Sequence, residues 1–301
     1  MKIVGRESLS PGSLGLSAPA AVAGALLIIL ILGALLAPWV LRSNPFDLAA
    51  LNLLDSHLPP AFARGGDARH LLGTDSQGAD VASLILYGLR ASLTVGVLAV
   101  CVSVGLGTMG GLVSGYMGGW VDKAIMRVAD IQFTFPALLL ALLIGGISQA
   151  LLSNQMRSTL ALPIVILALG ISHWPHFARL VRAAVLVERQ KDYVAAARLI
   201  GHGPARIMAT QLLPNVLNPI FVLATLDLGF AIMSEATLSF LGFGMPSDRP
   251  SLGTLIRIGY QYLFSGEWWV VAFPGATLVL LLVSITVLGD WLRDRLDPQS
   301  R

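Results

Sequence analysis

Asp192-Tyr-Val-Ala-Ala-Ala-Arg-Leu-Ile-Gly-His-Gly-Pro-Ala-Arg-Ile-Met-Ala-Thr-Gln-Leu-Leu-Pro-Asn215 is a helical stretch that does not read as a membrane span, although apolar runs stand on both sides of it. Tyr193 to Leu199 is rich in alanine and other strong helix formers. Gly201 supplies a residue that can end a helix in the left-handed conformation. Gly203-Pro204 fits a break followed by a new helix with proline in its first turn, and Leu213-Pro214-Asn215 marks entry into the next apolar span. The stretch therefore predicts a short helix–glycine–helix elbow outside the bilayer. Its small side chains offer a surface against which another protein could pack.

Around this elbow the chain is 55% hydrophobic and 12% charged, with a mean hydropathy of +0.76. Soluble domains carry about 25% charged residues, so most of this chain belongs in lipid. Intervals free of Asp, Glu, Lys and Arg locate the spans. They contain 34 residues between Glu7 and Arg42, 31 between Arg90 and Asp122, and 26 between Asp130 and Arg157. Further intervals contain 21 between Arg157 and Arg179, 20 between Arg206 and Asp227, and 22 between Glu267 and Asp290. Each accommodates the roughly 20-residue helix that crosses a hydrocarbon core. Six spans follow, near 18–41, 92–115, 131–152, 160–180, 213–240 and 269–289. The first is longer than the apolar core of a signal peptide and is expected to stay as an anchor.

Basic residues orient the spans. With the N-terminus inside, 13 of the 20 Lys and Arg residues fall on inner segments and 7 on outer ones. The 176–212 loop contributes most of the excess, so the positive-inside rule places both termini and the elbow in the cytoplasm. Residues 1–17 read as a loosely ordered cytoplasmic tail, and 18–90 as the first helix with an external segment. The part at 42–90 is too polar to span and long enough to be a small structured cap. A second external segment, 242–268, carries Leu252, Leu255, Ile256, Gly259 and Leu263 at helical spacing. This predicts an amphipathic helix at the interface or dipping inward, with Trp268 and Trp269 as an interfacial anchor.

Gly107, Gly111 and Gly115 form a stripe that lets helices approach closely, either within the chain or against a second subunit. Asp122 to Asp130 reads as a short inner connection, with Asp122 and Lys123 each able to pair with neighbours at helical spacing, although exposed pairs contribute little. Asp227 and Glu235 both fall in the fifth span, where an unpaired carboxylate costs about 2.5–3.5 kcal/mol. Eight residues apart, they share a broad face. Either that face lines an aqueous substrate path, or each group sits near a span end or bonds to neighbouring Ser or Thr. His173 and His176 share a helical face but lack a third ligand, so a metal is not expected. Cys101 lies in an apolar run and reads as a small buried hydrophobe. The lysines Lys2, Lys123 and Lys191 do not follow glycine, so no phosphate-binding Gly-Lys-Ser/Thr loop is present. No catalytic constellation stands out, and the modest net charge of +3 does not suggest nucleic-acid binding.

The elbow resembles the coupling loop, or EAA motif, of ABC-importer permeases. The resemblance extends to His70-Leu-Leu-Gly-Thr-Asp75 with Gly78-Ala-Asp-Val81, Gly115-Tyr-Met-Gly-Gly-Trp-Val-Asp122 and Leu213-Pro-Asn215. It also includes Glu235-Ala-Thr-Leu-Ser-Phe-Leu-Gly-Phe-Gly244 and Leu288-Gly-Asp-Trp-Leu-Arg-Asp-Arg-Leu-Asp-Pro298. In this order the segments resemble the peptide/nickel importer permeases, specifically the dipeptide/oligopeptide "C"-type subunit. The chain departs from that pattern at Ala195 (usually Glu), Gln211 (usually His), Ala79 (usually Arg) and Leu252 (usually Trp), the last two bearing on specificity for solute or binding protein.

The resemblance implies an all-α integral membrane protein: a type I ABC-importer five-helix core at 91–298, with a coupling loop at 188–212, preceded by an extra helix and external cap. Within the loop it implies ATPase coupling through Asp192, Tyr193, Ala195, Ala196, Ala197, Arg198, Gly201 and Pro204. Asp227 and Glu235 are the candidates for the substrate pathway. The implied role is a permease subunit, not an enzyme, that forms half of an inner-membrane pathway for peptides or a related small solute by alternating access. Its implied partners are a second homologous permease, one or two P-loop ATPases holding ATP and Mg, an extracytoplasmic solute-binding protein and membrane lipid. No cofactor is expected in this chain. The alternative from another class is a secondary transporter driven by an ion gradient through Asp227 and Glu235, and a membrane scaffold without a path is a third reading.

Overall fold

A computed structural model describes residues 18–40 and 51–296. The expected tail at 1–17, the start of the external segment and the last residues of the C-terminal motif lie outside the described residues. The described chain is helical, with one isolated bridge between Thr74 and Asp80. Helix α1 spans Ala18–Val40, α2 Val81–Met117, α3 Gly119–Phe133, α4 Ala137–Leu151 and α5 Asn154–Glu188. The elbow contains α6 at Asp192–Leu199 and α7 at Pro204–Ile207. A π-helical turn, Met208–Leu212, leads into α8 at Leu213–Phe240. Then come α9 at Leu252–Tyr260 and α10 at Trp269–Leu296.

Five helical segments are long and apolar enough to cross a membrane, or six if the bent α3–α4 pair is one span. The helices extend beyond the expected spans because a charge-free window marks the lipid-embedded part rather than the helix. Thus Arg90 lies within α2 rather than in the external segment. The third span needs a larger correction. Helices α3 and α4 meet at 85° across Thr134-Phe135-Pro136, and α4 has only 15 residues, about 22 Å of helix. Pro136 pushes Phe135 away from helical geometry and caps α4. The expected connection at 122–130 is part of α3.

Helix α2 packs along α5, and the glycine stripe makes this possible. A Cβ on Gly111 would lie 2.6 Å from Val181 Cβ and 2.7 Å from Ala178 O, and one on Gly115 2.9 Å from Val185 Cβ. The stripe is therefore used within the chain. Asp122 takes a two-point contact from Arg182 on α5, with Nε and Nη2 at 2.6 and 2.7 Å, and accepts the Ser114 hydroxyl at 2.5 Å. Helical spacing did not reveal this partner, 60 residues away. Cys101 is exposed on α2, not buried.

The chain direction places the start of α1, the end of α2, the elbow and the end of α10 at one end of the bundle. The cap, the 242–247 turn and α9 lie at the other. Within the cap, the Thr74 hydroxyl donates to Asp55 O and accepts from Leu58 N–H, while Trp269 Nε1 donates to Thr74 O at 3.0 Å. Trp269 is thus part of the core, and of this pair Trp268 alone is exposed. Burial pushes the Asp75 carboxyl above its ordinary range, against the backbone N–H groups of Ala79 and Gln77 that donate to it. Helix α9 dips inward: Leu252, Gly253, Thr254, Leu255 and Gly259 are buried. Ala79 and Leu252, the two external departures from the family pattern, both lie in the core, where they serve packing.

Candidate functional site

The elbow is built from its ends. Gly201 has φ +84°; its N–H donates to Arg198 O and the N–H of His202 to Ala197 O. These paired bonds satisfy the last carbonyls of α6, and Pro204 starts α7 in its first turn. Val194, Ala197, Ile207 and Leu212 sink into a cluster with Phe177, Val181 and Val185 of α5. Outside lipid, each fully buried aliphatic side chain contributes about 1.5–3 kcal/mol, so the elbow is firmly seated on α5.

Polar contacts complete the seat. Arg189 Nη1 donates to Gly115 O at 2.8 Å, and the Arg198 guanidinium stands 5.2 Å over the Tyr116 ring. The Tyr193 hydroxyl donates to Glu188 at 2.8 Å and accepts from Asn215 Nδ2 at 3.3 Å, joining α5, α6 and α8. Burial, with the Glu188 carboxylate beside it, pushes the Tyr193 hydroxyl up to about 12.

The expected coupling residues therefore divide by position. Asp192, Ala195, Ala196, Arg198, Gly201 and Pro204 are exposed, whereas Ala197 faces inward and Tyr193 is half-buried. Leu199 and Ile200, outside the expected set, are 89% and 74% exposed at the tip. Two consecutive large apolar residues just before the capping glycine were the available signal. Replacing Gly201 by Val should cost about 1–2 kcal/mol of left-handed strain, and no neighbour lies within 4 Å to add a clash. We expect membrane insertion to persist and coupled ATP hydrolysis to fall several-fold, with Gly201→Asn recovering most of it because asparagine tolerates this conformation. Equal hydrolysis by the valine and asparagine variants would refute the role of the turn.

The two carboxylates of α8 are both buried, but their settings differ. Glu235, wholly enclosed, accepts hydroxyl hydrogen bonds from Ser92 at 2.9 Å and Ser239 at 2.6 Å. Ser92 also accepts Leu252 N–H, and Ser239 accepts Met245 N–H. The group thereby ties α2, α8, the 242–247 turn and α9 into one polar knot. Asp227 stands deeper along α8. Its Oδ1 lies 2.7 Å from His173 Nδ1 on α5, while its buried Oδ2 has no protein partner. The His176 and Phe133 rings meet at 78° with centroids 4.7 Å apart. Among the described residues no group of three or more His, Cys, Asp and Glu is placed to hold a metal.

The described chain is thus a multi-helix membrane bundle with a seated elbow at one end and a folded cap at the other. The model of the binding-protein-dependent transport system inner membrane component family matches residues 107–301, and the chain belongs to this family. It is a permease of the ABC-importer type, and such subunits are not themselves catalytic. The dipeptide transport system permease protein DppC of Escherichia coli strain K12 is 43% identical over 282 residues, covering 93% of this chain and 89% of that protein. The di/tripeptide transport system permease protein DppC of Pseudomonas aeruginosa strain UCBPP-PA14 is 39% identical over 275 residues, covering 91% and 86%. Among solved structures, the inward-facing MetNI methionine ABC transporter shares the fold, with a TM-score of 0.55 at 21% identity. The match covers 71% of this chain and 96% of that one.

Proposed function

We propose that this chain forms half of the translocation pathway of an ATP-driven peptide importer. The carrying observation is the elbow: helix α6, capped at Gly201 and seated on α5, turns into the helical segment 204–240 that becomes α8, with an apolar tip left open. Such a body transmits a push from a docked ATPase to the two spans it joins. The names of the relatives, which are dipeptide and di/tripeptide permeases, support peptides as the solute.

In this reading the elbow and both termini are cytoplasmic, as the distribution of basic residues favours. A second, related permease completes the pathway, two P-loop ATPases dock at the elbows, and a solute-binding protein docks at the cap end. ATP-driven closure of the ATPases turns the pathway outward, and hydrolysis resets it. The test is purification of the tagged chain from its native membrane in mild detergent, followed by mass spectrometry. Recovery of a second permease and P-loop ATPases supports the assembly. A chain that transports alone and responds to protonophores rather than to loss of ATP returns the ion-gradient reading.

Glu235, with both oxygens bonded to serines, is assigned to holding the outer turn in shape. Asp227 is the stronger pathway candidate because one oxygen is uncommitted. Asp227→Asn keeps the side-chain size and removes the charge beside His173; we expect peptide uptake to fall several-fold in reconstituted vesicles. Wild-type rate and affinity would remove Asp227 from the pathway.

A further inference from the structure

A cavity of about 260 Å³ opens at the cap end of the bundle, between the end of α4, the start of α5, the 242–247 turn and α9. Two arginines line it, Arg157 of α5 and Arg257 of α9, and no acidic residue does. Arg257 donates through Nη2 to Ser247 Oγ, at a long 3.4 Å. Its Nε is sealed from solvent without an acceptor, and it belongs to no ion pair among the described residues. Nε is closed to a ligand in the cavity, so the terminal pair Nη1 and Nη2 supplies the donors spaced for the two oxygens of a carboxylate.

The remaining walls narrow the ligand. Ser158 and Ser247 add hydroxyls, while Val165 and Phe243 make an apolar side. The turn forming the floor is held from beneath, since Met245 N–H donates to Ser239 and Ser239 donates to Glu235. A rigid pocket with positive charge, hydroxyls and an apolar wall suits a small molecule ending in a carboxylate beside a side chain. We infer that this cavity is a subsite for the C-terminal carboxylate of the peptide solute, with Arg257 as its principal ligand. The inference rests on the peptide-importer reading and adds a point of recognition in the permease itself.

The test uses the whole assembly, reconstituted in vesicles with saturating loaded binding protein. Uptake of dialanine is compared with uptake of dialanine amide, for the wild-type transporter and for Arg257→Gln. Any preference of the binding protein is common to both transporters and cancels in the ratio. The acid-over-amide preference is expected to fall about tenfold or more in the variant, as for the loss of a charged hydrogen bond. An unchanged preference overturns the inference. So does a parallel fall for both peptides, which would make Arg257 a contact for the binding protein or a lipid headgroup.

A second measurement needs no variant. Dialanine carrying ¹³C in its carboxylate, bound to a transporter with ¹⁵N-labelled arginine, should show dipolar coupling for a separation within roughly 4 Å. Absence of that coupling overturns the subsite. Failure of the wild-type assembly to take up any peptide would instead overturn the peptide-importer reading, and is seen before any variant is compared.

Discussion

Leu199→Asp is expected to strip the ATPase subunits from the purified transporter while leaving the transmembrane chain folded. Leu199 is 89% exposed at the elbow tip, so a charge there disturbs no packing in this chain. In the proposed docking, the apolar contact with an ATPase would become a desolvated carboxylate facing an apolar partner. A hot-spot contact of a protein interface is worth about 2 kcal/mol, which corresponds to a roughly 30-fold loss of affinity. The readout is the ATPase-to-permease ratio after detergent purification, together with peptide-stimulated hydrolysis. Val194→Asp is the contrasting variant. Val194 is buried in the cluster beneath the elbow, so that change should lower the yield of folded chain itself. Normal ATPase recovery with Leu199→Asp would remove the tip from the docking surface.

Gly111→Val is expected to break the α2–α5 pair. The added Cβ would meet Val181 Cβ and the backbone oxygen of Ala178, with Arg182 N at 3.0 Å behind them. Backbone atoms cannot rotate out of the way as a side-chain tip can, so α5 must move. Its movement also strains the two-point contact of Arg182 with Asp122. Overpacking of this kind costs about 3 kcal/mol, which lowers the thermal midpoint in detergent by about 5 °C or more. Gly105 lies on the same helix with nothing within 4 Å of its added Cβ. Gly105→Ala should therefore leave the midpoint unchanged or raise it, since alanine favours helix. Equal behaviour of the two variants would mean that the stripe does not set the helix approach.

The elbow was legible in the sequence because its determinants are local. Helix propensity over 193–199, the left-handed glycine at 201 and the proline at 204 all act within a few residues of where they stand. The existence of apolar spans was legible for a similar reason: a run without charge states its own preference for lipid. Pro136 signals the bend before α4, but the charge-free interval starting at 131 spans the break and reads as one continuous helix. The ends of α2 and α5 were missed because hydropathy reports where the lipid stops, not where the hydrogen-bonded helix stops.

Sequence alone thus determined that this chain is an all-helical membrane protein with a capped elbow between two spans, since composition, propensity and turn chemistry are properties of short segments. Tertiary structure alone decided which side of the elbow is exposed. It placed Ala197 and Val194 inward and left Leu199 and Ile200 outward, according to where α5 lies. It also paired Asp122 with Arg182, Asp227 with His173, and Glu235 with Ser92, at separations of 60, 54 and 143 residues. A buried charge requires a partner, but its partner is chosen by the packing of helices distant in sequence, and no local pattern encodes that choice.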